Sequence, residues 1–187
     1  MLLGLSGACR RRAATPEDAF HRFQDAVAAQ DPAALFDSME QGSRWAWMTV
    51  QKSHREAYDI ILSNYPEGQE RERELRRFQK GAMTGSAREL FIEELGKNAL
   101  AKFPRPMPTP ARFDAPASGA GGGATDERIA VLADGTQLPF RKGPDGGWGL
   151  SLFSAESEVR QNRALHDVDM VRASAADYER AAARGAR

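Results

Sequence analysis

The chain has 187 residues, 41% of them apolar, and its 26 basic side chains equal its 26 acidic ones. That length suits one domain, and a net charge of zero supplies no long-range field to steer a polyanion, which argues against nucleic acid as a partner. No apolar run approaches the roughly 18 residues that a spanning helix needs, and the single cysteine, Cys9, excludes an internal disulfide or a cysteine cluster.

Cys9 closes the segment Met1-Leu2-Leu3-Gly4-Leu5-Ser6-Gly7-Ala8-Cys9, and Arg10, Arg11 and Arg12 follow at once. Leucines and then small residues before a cysteine resemble the lipobox of bacterial lipoproteins. The resemblance implies a thiol that accepts a diacylglycerol, with Arg10 in the next position favouring the outer membrane. A working signal carries an apolar stretch of roughly 7–15 residues, and eight residues precede Cys9. The expectation is therefore a truncated lipoprotein signal and tether over 1–14, with the full signal extending upstream of Met1. The alternative is a cytoplasmic protein whose true start is Met1.

Helices are expected over 15–102. Thr15-Pro16-Glu17-Asp18 reads as a cap, a first-turn proline and dipole-compensating acids, and Phe20, Phe23 and Val27 form one apolar stripe. Asp31-Pro32 repeats the signal for a short helix burying Leu35, Phe36 and Met39 and ending near Gly42. A third helix from about Ser43 carries Trp47, Val50, His54, Ala57 and Ile61 at steps of three and four. Trp45, Met48, Tyr58, Leu62 and Tyr65 widen that face, and Pro66 ends it. Glu70 to Lys80 pairs opposite charges at i,i+3 and i,i+4, as an exposed helix anchored by Leu75 and Phe78 would, and Gly81 to Gly85 breaks the pattern. Ser86-Ala87-Arg88-Glu89 matches a capping box and opens a helix burying Leu90, Phe91, Leu95 and Leu100.

Residues 103–126 are rich in proline and glycine and read as an extended connection, with an edge strand near Arg112–Ala115. The GxG at Gly119–Gly121 lacks the strand before it and the helix after it that a phosphate loop requires, so it reads as linker. Antiparallel strands are expected over 127–153. Ile129 and Val131 would point inward, Asp134-Gly135 would turn, and Leu138 with Phe140 would return. Trp148, Leu150 and Leu152 would then alternate along a third strand. Residues 154–187 read as a C-terminal helical extension with Leu165, Val168, Val171 and Tyr178 as anchors, and with Ser174 and Asp177 as a second cap. The fold class is α+β: N-terminal helices packed, cone-like, on a small antiparallel β-meander, followed by a helical tail.

The Thr-Pro-Glu-Asp-Ala-Phe helix start, the Ala-Gln-Asp-Pro-Ala-Ala-Leu-Phe that follows, the strand pair Val-Leu-Ala-Asp-Gly-Thr-Gln-Leu-Pro-Phe and the closing Gly-Gly-Trp-Gly-Leu resemble the nuclear-transport-factor-two-like superfamily. That group includes ketosteroid-isomerase-like and polyketide-cyclase-like proteins, and many bacterial lipoproteins carry such a domain. The resemblance covers residues 15–153 and implies helices closing a curved sheet into a cone with an apolar mouth. The acids and tyrosine of the isomerase relatives match no residue here, so no catalytic residue carries over.

His21, His54 and His166 are the only histidines, and none stands at a metal-binding spacing, so no metal and no cofactor is expected. His54, on the apolar stripe, is the candidate general base or pH-sensitive group; a core-edge histidine is the plainer reading. Trp45, Trp47, His54 and Tyr58 are the candidate pocket-lining set, for a small apolar ligand, or else they are ordinary core. The functional expectation is an envelope-anchored lipoprotein domain, non-enzymatic, that binds a partner protein or a small apolar ligand. The alternatives are an isomerase- or cyclase-like enzyme with a cone pocket, and an accessory subunit of a larger envelope assembly docking through Glu70–Lys80.

Overall fold

The computed structural model describes residues 12–116 and 126–185. Among them are seven α-helices and one four-stranded antiparallel sheet. The chain is α+β, with helices on an antiparallel meander and a long helix at its C-terminal side.

The capping signals act as the sequence predicts. Thr15 Oγ1 accepts from the Asp18 N–H at 3.1 Å and starts α1 (Pro16–Ala29). Asp31 Oδ1 accepts from the Ala33 and Ala34 N–H groups at 2.8 and 3.0 Å and starts α2 (Pro32–Ser38). Helix α3 spans Gln41–Asn64 and begins two residues before the expected Ser43. The reason is Glu40. Its buried carboxylate accepts from the Gly42 N–H at 2.7 Å, from the Ser43 N–H at 2.8 Å and from the Ser43 hydroxyl at 2.8 Å. A capping glutamate is uncommon, since Ser, Thr, Asp and Asn dominate that position.

Helix α4 (Gln69–Met83) carries the three expected surface pairs, Glu70–Arg73, Glu72–Arg76 and Glu74–Arg77. It does not break at Gly81. The glycine lies inside the helix, where a neighbouring side chain takes the space of its missing Cβ. Ser86 caps α5 (Ala87–Phe91), and Glu89 reaches back to the Gly85 N–H at 3.0 Å. A π-helical turn, Ile92–Gly96, then leads to α6 (Lys97–Leu100).

The sheet comprises β1 (Pro110–Asp114), β2 (Glu127–Leu132), β3 (Gln137–Lys142) and β4 (Trp148–Leu150), in sequence order. The proline-rich connection thus supplies a fourth strand, at the edge. The inward face of β2 is opposite to expectation: Ala130 and Leu132 face the core. Ala130 pairs with Leu138 and with Phe113, and directly paired residues share a face. Phe20, Phe113 and Phe140 meet there with ring centroids 6.3–6.5 Å apart, leaving room for a methyl group rather than for Ile129. Leu152 is also corrected. It is 43% exposed, because β4 ends at Leu150 and the chain turns there, giving the buried place to Phe153.

Helix α7 runs unbroken over Ser154–Gly185, without the expected second cap at Ser174. It lies parallel to α3. Ser43 meets Ser154, Gln161 donates to Thr49, Arg172 pairs with Glu56, and Asn64 donates to Glu179, at sequence separations of 111, 112, 116 and 115. Helix α4 runs antiparallel to α3: Arg55 donates to the Ala82 carbonyl and Arg71 to the Leu62 carbonyl. The first core joins α1, α2, the start of α3, α5, α6 and the inner sheet face. A second core, Ala57, Ile61, Tyr65, Phe78, Val168, Val171 and Ala175, fills the three-helix bundle. Buried residues occupy one side of α3. Trp45, Met48 and Leu62 were expected to widen that side but lie exposed, because no helix packs against the face they share. Leu165 of α7 is exposed for the same reason.

Candidate functional site

A cluster of titratable side chains that includes His54 lies in an open cleft of about 650 Å³ between α3, α4, the π turn and α7. His54 reaches it from α3. Its imidazole sits directly over Gly81: a Cβ on that glycine would come within 2.0 Å of Nδ1 and 2.7 Å of the histidine Cβ. Phe78, three residues earlier on α4, meets the imidazole edge to face at 5.8 Å and 72°. Nδ1 is buried and has no hydrogen-bond partner. Burial is the main reason that His54 titrates below its usual range; nearby Glu94 and Asp167 oppose the shift, and Arg77 adds to it.

Both acids near His54 are already taken. Arg77 pairs with Asp167, and its guanidinium also lies over the Phe78 ring at 5.0 Å. Arg160 Nη1 donates to Glu94 at 2.6 Å and Nη2 to Glu156 at 3.2 Å, while its guanidinium covers Trp47 at 5.3 Å. The π turn presents Glu94 to α7; such wide turns recur at functional positions, and Gly96 lets this one press on Pro32. A general base needs an orienting partner on its ring and a reacting group within reach. Here the carboxylates that would orient His54 are held by arginines. Among the described residues no group of three or more His, Cys, Asp or Glu side chains converges as a metal site.

The four candidate pocket residues do not share one cavity. His54 lines the cleft. Trp47 lies beneath Arg160 in the first core, 1% exposed, stacked edge-on against Phe91 at 5.4 Å, with its indole N–H buried and unpartnered. Tyr58 packs on the second core. Trp45 is 49% exposed on the opposite side of α3. His21 and His166 are exposed, and Cys9 lies outside the described residues, as does the Gly119–Gly121 segment. Sequence reasoning missed Gly81, Glu94, Arg160 and the Arg77–Asp167 pair. Gly81 alone left a signal, as a glycine inside a strongly helical run. The pairs join residues 66 and 90 apart in charge-rich helices, where composition names no partner.

A second opening of about 540 Å³ sits where the described chain begins, among Arg12, Arg22, Asp25, Asp37, Glu40, Arg44 and Asp145. Glu40 anchors it, joining the start of α3 to that of α7 through the Ser154 hydroxyl at 3.0 Å. Comparison with protein-family models, characterised proteins and solved structures finds no match.

Proposed function

We propose that the chain is a non-enzymatic binding domain held at a bacterial envelope by a lipid on Cys9, and that its ligand is a partner protein. The observation that carries the reading is the state of the His54 cleft: its carboxylates are committed to Arg77 and Arg160, and the buried Nδ1 of His54 has no hydrogen-bond partner to orient the ring. A small apolar ligand needs enclosure on most of its surface, whereas this cleft is open and rimmed by Glu156, Val159 and Arg163. Interfaces combine such an accessible apolar residue with a polar rim. The isomerase-like alternative draws on His54 standing near Glu94 and Asp167, and it requires one of those ion pairs to open. The placement beside nuclear-transport-factor-two-like proteins belongs to the same proposal, supported by the Thr15–Phe20 helix start and the Asp134–Gly135 hairpin.

The test is photocrosslinking in cells, with a photoreactive residue at Val159 on the cleft rim or at Gln137, exposed at the start of β3. A discrete adduct from position 159 alone is expected, together with an acyl mass on Cys9 in the envelope fraction. Equal labelling from both positions refutes the binding face. A free Cys9 thiol in that fraction refutes the placement.

A further inference from the structure

We infer that the Trp45–Met48 face of α3 is a membrane-docking surface, which seats the domain against anionic lipid headgroups beside its tether. The inference rests on the proposed lipid attachment at Cys9 and adds to it the face that meets the bilayer.

Two large apolar side chains, Trp45 at 49% and Met48 at 56% exposure, lie one turn apart on the side of α3 that no helix covers. Between this face and α5 runs an open groove of about 880 Å³. Its lining contains four cations, Arg12, Arg44, Lys52 and Arg88, against one carboxylate, Asp145. Arg12 shares Asp145, and Arg88 shares Asp37, so Arg44 and Lys52 tip the rim toward positive charge. A half-exposed tryptophan that shares a groove with arginine and lysine is a side-chain set that partitions to a membrane–water interface, and the charge suits anionic headgroups.

The start of the described chain ties this face to the tether. Ala13 is buried, and its carbonyl accepts from the Trp148 N–H at 3.0 Å; Arg12 donates to the Asp145 carbonyl at 3.0 Å and pairs with its carboxylate at 3.2 Å. Arg12, a fixed residue, is thus part of the groove wall. Two residues, Arg10 and Arg11, stand between it and Cys9, and the three steps from Cys9 to Arg12 span at most about 11 Å when fully extended. The headgroup region of one leaflet is itself about 5–7 Å thick. A domain on so short a leash abuts the headgroups on the side where the leash leaves, and that side carries Trp45, Met48 and Lys52.

The experiment uses the full soluble chain with vesicles containing phosphatidylglycerol and with vesicles of phosphatidylcholine alone. Expected are co-sedimentation with the anionic vesicles only, weakening as salt rises, and a blue shift of tryptophan emission. Trp45→Phe should keep the sedimentation and lose the shift. Trp45→Ser combined with Lys52→Glu should weaken binding by about tenfold or more while leaving Tm unchanged, since both positions are exposed. Equal behaviour toward the two vesicle types, or a shift that persists in Trp45→Phe, overturns the inference. So does saturable capture of an acidic amphipathic peptide by a chain that ignores both vesicles. The mass of Cys9 is read separately: a bare thiol in the envelope fraction defeats the parent reading, whereas an acylated chain whose soluble form ignores anionic vesicles defeats only this inference.

Discussion

The imidazole of His54 occupies the volume that a methyl group on Gly81 would fill, 2.0 Å from where that carbon would stand. One missing side chain therefore sets how closely α3 and α4 approach, and the contact lies at the floor of the charged cleft. In an exposed helix, Gly→Ala gains about 0.5–1 kcal/mol. Here the sign reverses. Gly81→Ala is expected to cost about 1–3 kcal/mol through overpacking, lowering Tm by several degrees. Adding His54→Ala should return much of that loss. A double variant no more stable than Gly81→Ala would show that the two side-chain positions are not coupled.

His54 also fixes a pH dependence. Its folded-state pKa lies below the unfolded value of about 6.5, first because of burial. Between the two values the unfolded chain binds more protons, so stability rises with pH there and is lost as pH falls below about 6.5 toward the folded pKa. Thermal melts from neutral to mildly acid pH should show a declining Tm for the native chain. His54→Gln should flatten that segment. An unchanged slope would assign the effect to other groups.

Glu40 joins two helix starts, taking two backbone N–H groups and the Ser43 and Ser154 hydroxyls on one carboxylate. Glu40→Ala leaves these donors unpaired in a buried place, at about 1–3 kcal/mol. Glu40→Gln keeps one acceptor oxygen and should fall between. Urea unfolding with an unchanged m-value checks both.

The end of β4 offers a paired control. Leu150 is fully buried and Leu152 is 43% exposed. Leu150→Ala is expected to cost about 2–5 kcal/mol, whereas Leu152→Ser should stay within about 0.5 kcal/mol. Similar losses at the two positions would restore the longer strand that simple alternation suggests.

What the sequence reveals follows from how local each signal is. Thr15, Asp31 and Ser86 act on N–H groups two or three residues away, so their helices are legible from spacing alone. Glu40 escapes because its length and charge are unusual for a cap. Strand β2 misleads because Ile129, Ala130, Val131 and Leu132 are all apolar, and a period of two cannot choose a face from such a run. Only the ring cluster of Phe20, Phe113 and Phe140, drawn from three distant segments, makes the small side chain the inward one. The same distance hides the site. His54 stands out as a polar residue on a greasy stripe, but Glu94 and Arg160 look like any others on solvated helices until the fold brings them together. Trp45 and Met48 fit helical spacing and yet have no neighbour to bury them.

The parallel alignment of α3 and α7 bears on how the molecule is made. The apolar side of α3 must wait for a helix synthesised 111 to 116 residues later. During translation Ala57, Ile61 and Tyr65 emerge with only α4 to shield them, and closure awaits a contact of long sequence separation, which is intrinsically slow. A ribosome stalled in the β-meander would hold a sticky, unfinished bundle. Chaperone demand should accordingly peak before the last helix appears and vanish once it seats.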